Sequence, residues 1–514
     1  MMNPNNPLTP GVYIQELNAF PNSIVEVATA VPAFVGYTQK ADYQGLSFHM
    51  KPVAISSMND YITFFGGGPN CKLAVAAPEN PGDPHDFSLS STAGTSPYVI
   101  SAVPNTLFYL YNSLQLFYQN GGGKCYIVSV GTYAAPNGPS YPDLKAGLDK
   151  ITNEAEPTLI VIPDGLLLDD DNYATLTQNM LQACNETQSR FSLFDIKGGD
   201  TFIDPLTLAS NDLITKFRDG IQDNYLNYGA VYFPWLQTTI VQKTDVDFSY
   251  FDASLVTALT TADAGGSPAV AGVYSKVGPL LTGGATAADP QAVTKAHNSL
   301  LAVSQNYNTV IKAITKYLNI LPAAPAIAGV YTAVDNNRGV WKAPANVSLT
   351  AVTNPLYNFT DDQQGAGLNL NVDPESGKSI NVIRSFPGVG VLVWGARTLD
   401  GNSQDWRYIN VRRTMIMIEQ SVKLAARNYV FEPNVANTWV TVQCMISNFL
   451  NGLWKQGALA GAKAEDAYIV SVGLGSTMTA EDILQGIMRI SVLVAVSHPA
   501  EFLIITFEQQ MQKS

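Results

Sequence analysis

The longest helical pattern in the chain runs from Tyr408 to Gly457 and is interrupted at Glu432-Pro433-Asn434. In its first half Val411, Met415, Ile418, Val422, Ala425 and Tyr429 recur at spacings of three and four, which predicts an amphipathic helix with one buried stripe. In the second half Trp439, Val442, Ile446, Phe449 and Leu453 predict another helix, capped by Asn434 or Asn437 and ended by Gly457. The two stripes are expected to pack on one another. At about 100° per residue, Arg412, Arg413, Lys423 and Arg427 share one arc opposite the first stripe, with Glu419 at its edge. Such an arc is ordinarily a solvated face.

The remainder alternates between short strands and helices. Pro10-Gly11 predicts a turn leading into a short strand, Val12, Tyr13, Ile14, Gln15, Glu16 and Leu17, with no neighbour to pair with locally. An orphan strand at a terminus is either an edge of its own domain or an arm for another subunit's sheet. Ser23 to Thr38 reads as a strand pair broken at Pro32, and Asn70 to Pro97 as loop. Next come a helix near Leu107 to Phe117, a Gly121-Gly122-Gly123 turn and the strand Lys124 to Val130. The strands Thr158 to Ile162 and Phe191 to Ile196, the helix Tyr173 to Arg190 and the segment Tyr228 to Leu236 complete an α/β unit.

From about Val241 to Ala324 the chain turns to Ala, Thr, Gly and Ser with small-residue helices, an expected peripheral insertion. It returns with Gly329-Val330-Tyr331, a turn at Asp335 to Gly339, and two strands within Ile380 to Trp394. Thr479 and Asp482 predict a capping pair, and two strands follow, Ser491 to Val496 and Glu501 to Phe507. The last, with Phe502, Leu503, Ile504, Ile505, Thr506 and Phe507, is apolar on both faces, so both faces need cover and an open edge would invite pairing.

Composition sharpens the basic arc. The 514 residues hold 29 cations against 42 anions, a net charge of −13. A cationic face on an acidic protein suggests a docking surface for an acidic partner. The same charge argues against nucleic-acid binding, which needs clustered cations. The 46% hydrophobic content supports several folded cores, and the 14% charged fraction suits a chain that hides much of its surface in an assembly.

Reactive chemistry has little support. The Gly121 triplet with Lys124 has the order helix, loop, strand, whereas a phosphate loop needs strand, loop, helix; Ser376-Gly377-Lys378-Ser379 has Val372 where that motif needs Gly. Asp169, Asp170 and Asp171 lack a calcium-loop pattern and read as a helix cap. His49, His85, His297 and His498 sit in no metal or nucleophile motif, and Cys71, Cys125, Cys184 and Cys444 form no CxxC pair. No catalytic residue, cofactor or metal site is expected. The start MMNPNNPLTPGVYIQEL has no signal-peptide pattern, and no apolar run reaches bilayer length.

Several separated motifs, TPGVYIQE, NGGGKCYIVSV, PTLIVIPDG, RGVWKAPAN, WRYINVRRTMIMIEQSVKLAARNYVFEPNVANTW and HPAEFLIITFEQ, occur in an order that resembles contractile tail sheath proteins. The resemblance implies a mixed α/β, multi-domain sheath fold. Its inner, tube-facing domain is expected from residues 1–28 and 374–514, its middle α/β domain from 29–240 and 326–373, and a peripheral insertion from 241–325. It implies that strands Val12 to Leu17 and Phe502 to Phe507 are exchanged between neighbouring copies. Arg412, Arg413, Lys423 and Arg427 become candidate contacts to an inner tube. The implied partners are other copies in stacked hexameric rings, the tube protein, baseplate and terminal cap proteins and sheath paralogues, with no nucleic acid and no membrane insertion. Assembly is expected in the producing cell's cytoplasm, followed by release in an extracellular particle. AVPAFVGYT leans to an injection system; a phage tail sheath is the alternative. A metal-dependent enzyme and a static tube protein are the rivals from other classes.

Overall fold

The structure, a computed structural model, describes residues 24–80, 82–200, 213–264, 270, 272–273 and 290–502. The expected arms Val12 to Leu17 and Leu503 to Phe507 lie outside the described residues, and Phe502 is exposed at their margin. The chain divides into two compact units, Ala28–Arg413, and Met1–Val27 with Thr414–Ser514.

In the first unit the central strands have no solvated face. Every residue of β1 (Pro32–Thr38), β10 (Phe191–Asp195) and β11 (Gly229–Phe233) is buried. Strands of this kind need cover on both sides, the arrangement of parallel α/β layers. With β4 (Pro52–Ile55), β8 (Cys125–Thr132), β9 (Leu159–Val161), β14 (Val347–Ser348), β16 (Asn381–Phe386) and β17 (Gly390–Val393) they form one nine-stranded sheet, ordered β14-β17-β16-β11-β10-β9-β1-β8-β4. The run from β8 to β16 is parallel. Antiparallel strands close both ends, β4 at one and β17 with β14 at the other.

Helix α1 (Met58–Phe65) lies beside β4, and α2 (Leu110–Gln119), α3 (Tyr141–Thr152), α4 (Asp170–Thr187) and α9 (Ala324–Arg338) pack on the sheet. Helix α5 (Leu213–Gly220) rests on α4. The turn expected at Asp335 is instead the end of α9, stopped by Gly339 at φ +85°. Residues Ala324 to Thr332 are all buried. A helix that is apolar all round shows no 3.6-residue period, which hid it in the sequence.

The second half of the expected Ser23 to Thr38 strand pair forms β1, while residues 24–31 form no strand. The expected loop at Asn70 to Pro97 holds much of a sheet, β5 (Leu73–Ala76), β6 (Phe87–Ser91) and β7 (Gly94–Ala102), ordered β5-β7-β6. Phe87 and Leu89 point inward while Ser88 and Ser90 do not, an alternation masked by Pro, Gly and Asp in the connections. Leu73, Leu89 and Ile100 share a core with Leu255, Leu300 and Ile314 of α6 (Ala253–Asp263), α7 (Pro290–Val303) and α8 (Gln305–Leu318). The insertion at 241–325 is thus packed on a sheet from residues 73–102, which had been expected in the middle domain. Likewise β16 and β17, expected in the inner domain from residue 374, complete the large sheet. A β2 (Asp42–Tyr43) and β3 (Leu46–Ser47) hairpin and a small sheet, β12 (Leu236–Thr238) between β13 (Ile320–Leu321) and β15 (Val352–Pro355), finish this unit.

Helix α10 (Ile409–Ala426) begins in the first unit, whose boundary falls after Arg413. In the second unit α11 (Ala436–Lys455) buries Val442, Ile446 and Leu453 as expected, with Gly457 at φ +88° just beyond its end. Its main packing partner is β18 (Tyr468–Val472), which pairs with β19 (Ile490–Val494) in a hairpin, rather than the stripe of α10. Gln443 Nε2 donates to Val470 O at 2.8 Å. The N-cap is Val435, without a side-chain bond; Asn434 instead accepts from Trp439 Nε1 and donates to Ile487 O. Thr479 and Asp482 do form a capping box.

The α2–α9 crossing offers a test. A Cβ at Gly329 would stand 2.5 Å from Phe117 O and 3.0 Å from Asn120 Cβ. Helix propensity alone favours Ala there by about 1 kcal/mol. Overpacking costs about 1–3 kcal/mol, so Gly329→Ala is expected to lower the urea midpoint; a raised midpoint would show that the helices separate freely.

Candidate assembly surface

The first turn of α10 is anchored inside its unit. Arg413 pairs with Asp335 through two bonds, Nη2–Oδ2 at 2.6 Å and Nη1–Oδ1 at 3.0 Å, and both side chains are 3% exposed. Arg413 Nη2 also donates to Thr29 O, and Thr29 Oγ1 donates to Asp335 Oδ2. The guanidinium lies 4.5 Å from the Tyr331 ring centre, and the Tyr331 hydroxyl meets that of Tyr232. Arg412 donates to Tyr228 Oη at 2.9 Å and lies over the Tyr228 and Trp406 rings at 4.3 and 4.6 Å.

These contacts correct the expected four-residue basic arc. Arg412 and Arg413 are buried and hold the subunit's own groups, so neither presents its charge to a tube. The helical angles were sound, but the first turn is packed on all sides. Lys423 and Arg427, further along, are exposed. Beyond them the chain turns through Phe431, fully exposed at φ +74°.

At β9 and β10 the carboxyl ends of the parallel strands, where open α/β sheets bind ligands, are joined to the protein's own helices. Asp164, just past β9, accepts from Tyr109 N and Leu110 N at the start of α2 through Oδ1, and from Tyr37 N through Oδ2 at 2.8 Å. Gly36 admits that carboxylate, since a Cβ there would lie 2.5 Å from Oδ2. Asp195, the last residue of β10, accepts from Ala323 N and Ala324 N at the start of α9. Burial pushes the Asp164 carboxyl up to about 6 and that of Asp195 up to about 7, against the pull of these amide bonds. Neither residue stood out in the sequence; the signal was an Asp closing an apolar strand ahead of a distant helix.

The acidic triplet is a helix start. Asp169 accepts from Asn172 N at 2.9 Å, which holds its carboxyl below the ordinary range, and Asp170 pairs with Lys197. Among the described residues no group of three or more His, Cys, Asp or Glu is arranged to hold a metal ion, and no helix is long and apolar enough to cross a membrane. His297 Nδ1 meets Tyr307 Oη at 2.8 Å inside the peripheral core. The four cysteines are free thiols, three of them buried.

The second unit presents an unfinished sheet. β18 and β19 pair over five residues, and neither outer edge forms a ladder with a third strand among the described residues. Ile469 and Leu493 stand opposite one another, 53% and 62% exposed. Exposed apolar pairs on an open-edged hairpin are association surfaces. The strand Tyr468–Val472 itself was not read from the sequence, because it follows a Gly- and Ala-rich stretch without a turn signal.

One unit is a layered α/β sheet with the ends of β9 and β10 joined to its own helices, and the other carries a hairpin without a third strand among the described residues; this is the architecture of a structural subunit. Residues 402–510 match the phage tail sheath C-terminal domain. The chain is 31% identical to a chain of the anti-feeding prophage (AFP) baseplate, solved with six-fold symmetry, over 98% of this chain and 100% of that one, with a TM-score of 0.58. To the sheath complex of an extracellular contractile injection system, PVC, in its contracted state it is 27% identical over 98% of each chain, with a TM-score of 0.57. It is 25% identical over 384 residues to the tail sheath protein of Burkholderia phage BcepMu, covering 70% of this chain and 77% of that protein. The chain belongs to the contractile tail sheath family, whose members are structural sheath subunits.

Two outcomes follow from this geometry. Removing one partner of a buried pair leaves an uncompensated charge, so Asp335→Ala should cost about 3–5 kcal/mol in urea unfolding, and Asp335→Leu with Arg413→Met should recover most of it. Asp164 and Asp195 bind protons more tightly folded than unfolded, since both lie above the ordinary 3.8. The stability they contribute is complete below 3.8 and is lost as pH rises through about 6 and about 7. Thermal midpoints of Asp195→Asn should therefore change less between pH 5 and 8 than those of the native protein; an equal slope would exclude Asp195 as a source.

Proposed function

We propose that this chain polymerises as a helical sheath around an inner tube in a metastable extended state, and that contraction drives the tube through a target envelope. The observation that carries the reading is the β18–β19 hairpin, whose outer edges form no ladder with a third strand among the described residues. The arms Val12 to Leu17 and Phe502 to Phe507 from neighbouring copies would complete that sheet by backbone pairing. Lys423 and Arg427 would meet an acidic inner tube. Contraction would exchange one packing of folded subunits for another, needing neither catalysis nor cofactor.

The injection-system reading is favoured by the 31% identity over 98% of the chain, against 25% over 70% for the phage protein. Baseplate and cap proteins would terminate the polymer, which would form in the cytoplasm of the producing cell before release. A phage tail sheath is the second reading, supported by the BcepMu relative.

Negative-stain microscopy of the concentrated protein, alone and co-expressed with its tube protein, should show tubes of uniform width. Deleting residues 1–17 should leave folded single subunits, and unchanged tubes would overturn strand exchange. Lys423→Glu with Arg427→Glu should lower recovery of tube protein with sheath at least tenfold in pull-down, with unchanged circular dichroism; undiminished recovery would remove these residues from the contact.

A further inference from the structure

We infer that the two ends of the nine-stranded sheet are complementary contact surfaces through which one copy of this chain docks on the next. The inference rests on the sheath reading above, and it concerns surfaces apart from the arms and from Lys423 and Arg427.

At one end, the β2–β3 hairpin stands close to β4 and α1 in the chain and packs on α1. Its two-residue turn places Gln44 at φ +50° and Gly45 at φ +79°, the left-handed pair whose twist suits a tight, stiff hairpin. The hairpin holds Leu46 65% exposed, and Ile62 of α1 is 44% exposed. Phe64 meets Tyr43 and Phe48 edge to face, with ring centres 5.4 and 5.5 Å apart. At the other end, the β16–β17 turn leaves Val389 64% exposed, and Trp394 is 40% exposed with its ring 4.7 Å from Phe386. Arg384 stacks on Phe386 at 5.1 Å and binds Asp361, whose carboxylate is 91% exposed.

In each cluster half-buried phenylalanines support an exposed aromatic, Tyr43 at one end and Trp394 at the other, and partly exposed aromatics with an ordered Arg are the composition of interface centres. The occupant is a second copy for a geometric reason. Subunits related by a six-fold axis touch through two different surfaces, one on each side, whereas a self-complementary patch closes a dimer and ends growth. The clusters are separated by seven strand spacings of about 4.8 Å, roughly 34 Å, across one continuous sheet. A neighbour displaced along the strand-stacking direction sets the hairpin end of one copy against the Trp394 end of the next. Charge agrees: the Lys51 ammonium is held on the hairpin by Ser47 O, and the exposed carboxylate of Asp361 flanks the opposite surface.

The test uses the assembled full chain. Leu46→Cys and Val389→Cys are placed together in a Cys444→Ser background, which removes the exposed native thiol, and sheaths assembled with the tube protein are treated with a short bis-maleimide. The expected result is a ladder of covalent oligomers beyond the dimer on denaturing gels, which neither single variant gives. Three results would overturn the inference: visible tubes without a ladder, dimers from either single variant, which mean like-to-like contact, or linkage to the tube protein alone. If the native chain makes no tubes under any of these conditions, the sheath reading fails and this inference falls with it.

Discussion

The buried carboxylate of Asp335 ties together parts of the chain that are remote in sequence. It accepts from Arg413 at the start of α10 and from Thr29 just ahead of β1, and it projects from α9, which packs on β9 and β10. Thr29 and Arg413 are also the residues next to which the chain enters and leaves the larger unit. One ion pair, closed by a Thr29 carbonyl bond and the Tyr331 ring, thus fixes both chain crossings to the helix that covers the sheet. A charged pair so deep gives little net stability, because desolvation consumes most of its attraction. Its worth lies in geometry, since any arrangement that separates the partners leaves a bare charge in the core.

The same logic explains the strand ends. In a parallel sheet the helix N-termini carry unsatisfied amides and a positive dipole end, which α/β proteins commonly turn toward an anionic ligand. Here Asp164 and Asp195 take the ligand's place and bind the amides of α2 and α9. Their bonds favour the charged form and burial opposes it; burial wins, as the upward shifts show. At these two strand ends the carboxylates form internal joints between sheet and helices. On the proposed mechanism, such joints suit a subunit that moves as a folded body.

The sequence carried the elements whose pattern stands alone. The stripe of α11, the Gly457 stop, the Thr479 capping box and the buried strands of the α/β unit were legible because each is a local periodic or capping signal. What stayed hidden depends on distant partners. Whether Arg413 faces water or Asp335 is decided 78 residues away in sequence. The β5–β7 sheet looked like loop because its alternation is short and its connections are rich in Pro and Gly. Helix α9 was lost for the opposite reason, having no polar face to mark a period. Of the proposed assembly surface, the expected arms and the cations Lys423 and Arg427 were visible as residue types, while the paired exposure of Ile469 and Leu493 needed the hairpin register.

These internal joints also bound where a contractile transition can occur. Breaking the Asp335–Arg413 pair costs about 3–5 kcal/mol, and losing a helix cap about 1 kcal/mol. A chain with total stability of roughly 5–15 kcal/mol per domain cannot undo several such joints and stay folded. Surface contacts around Leu46, Val389, Ile469 and Leu493 carry no such penalty, because water or another copy can cover them in turn. On the proposed mechanism, the energy difference between two sheath states therefore resides between subunits, and the interior is built to stay the same in both.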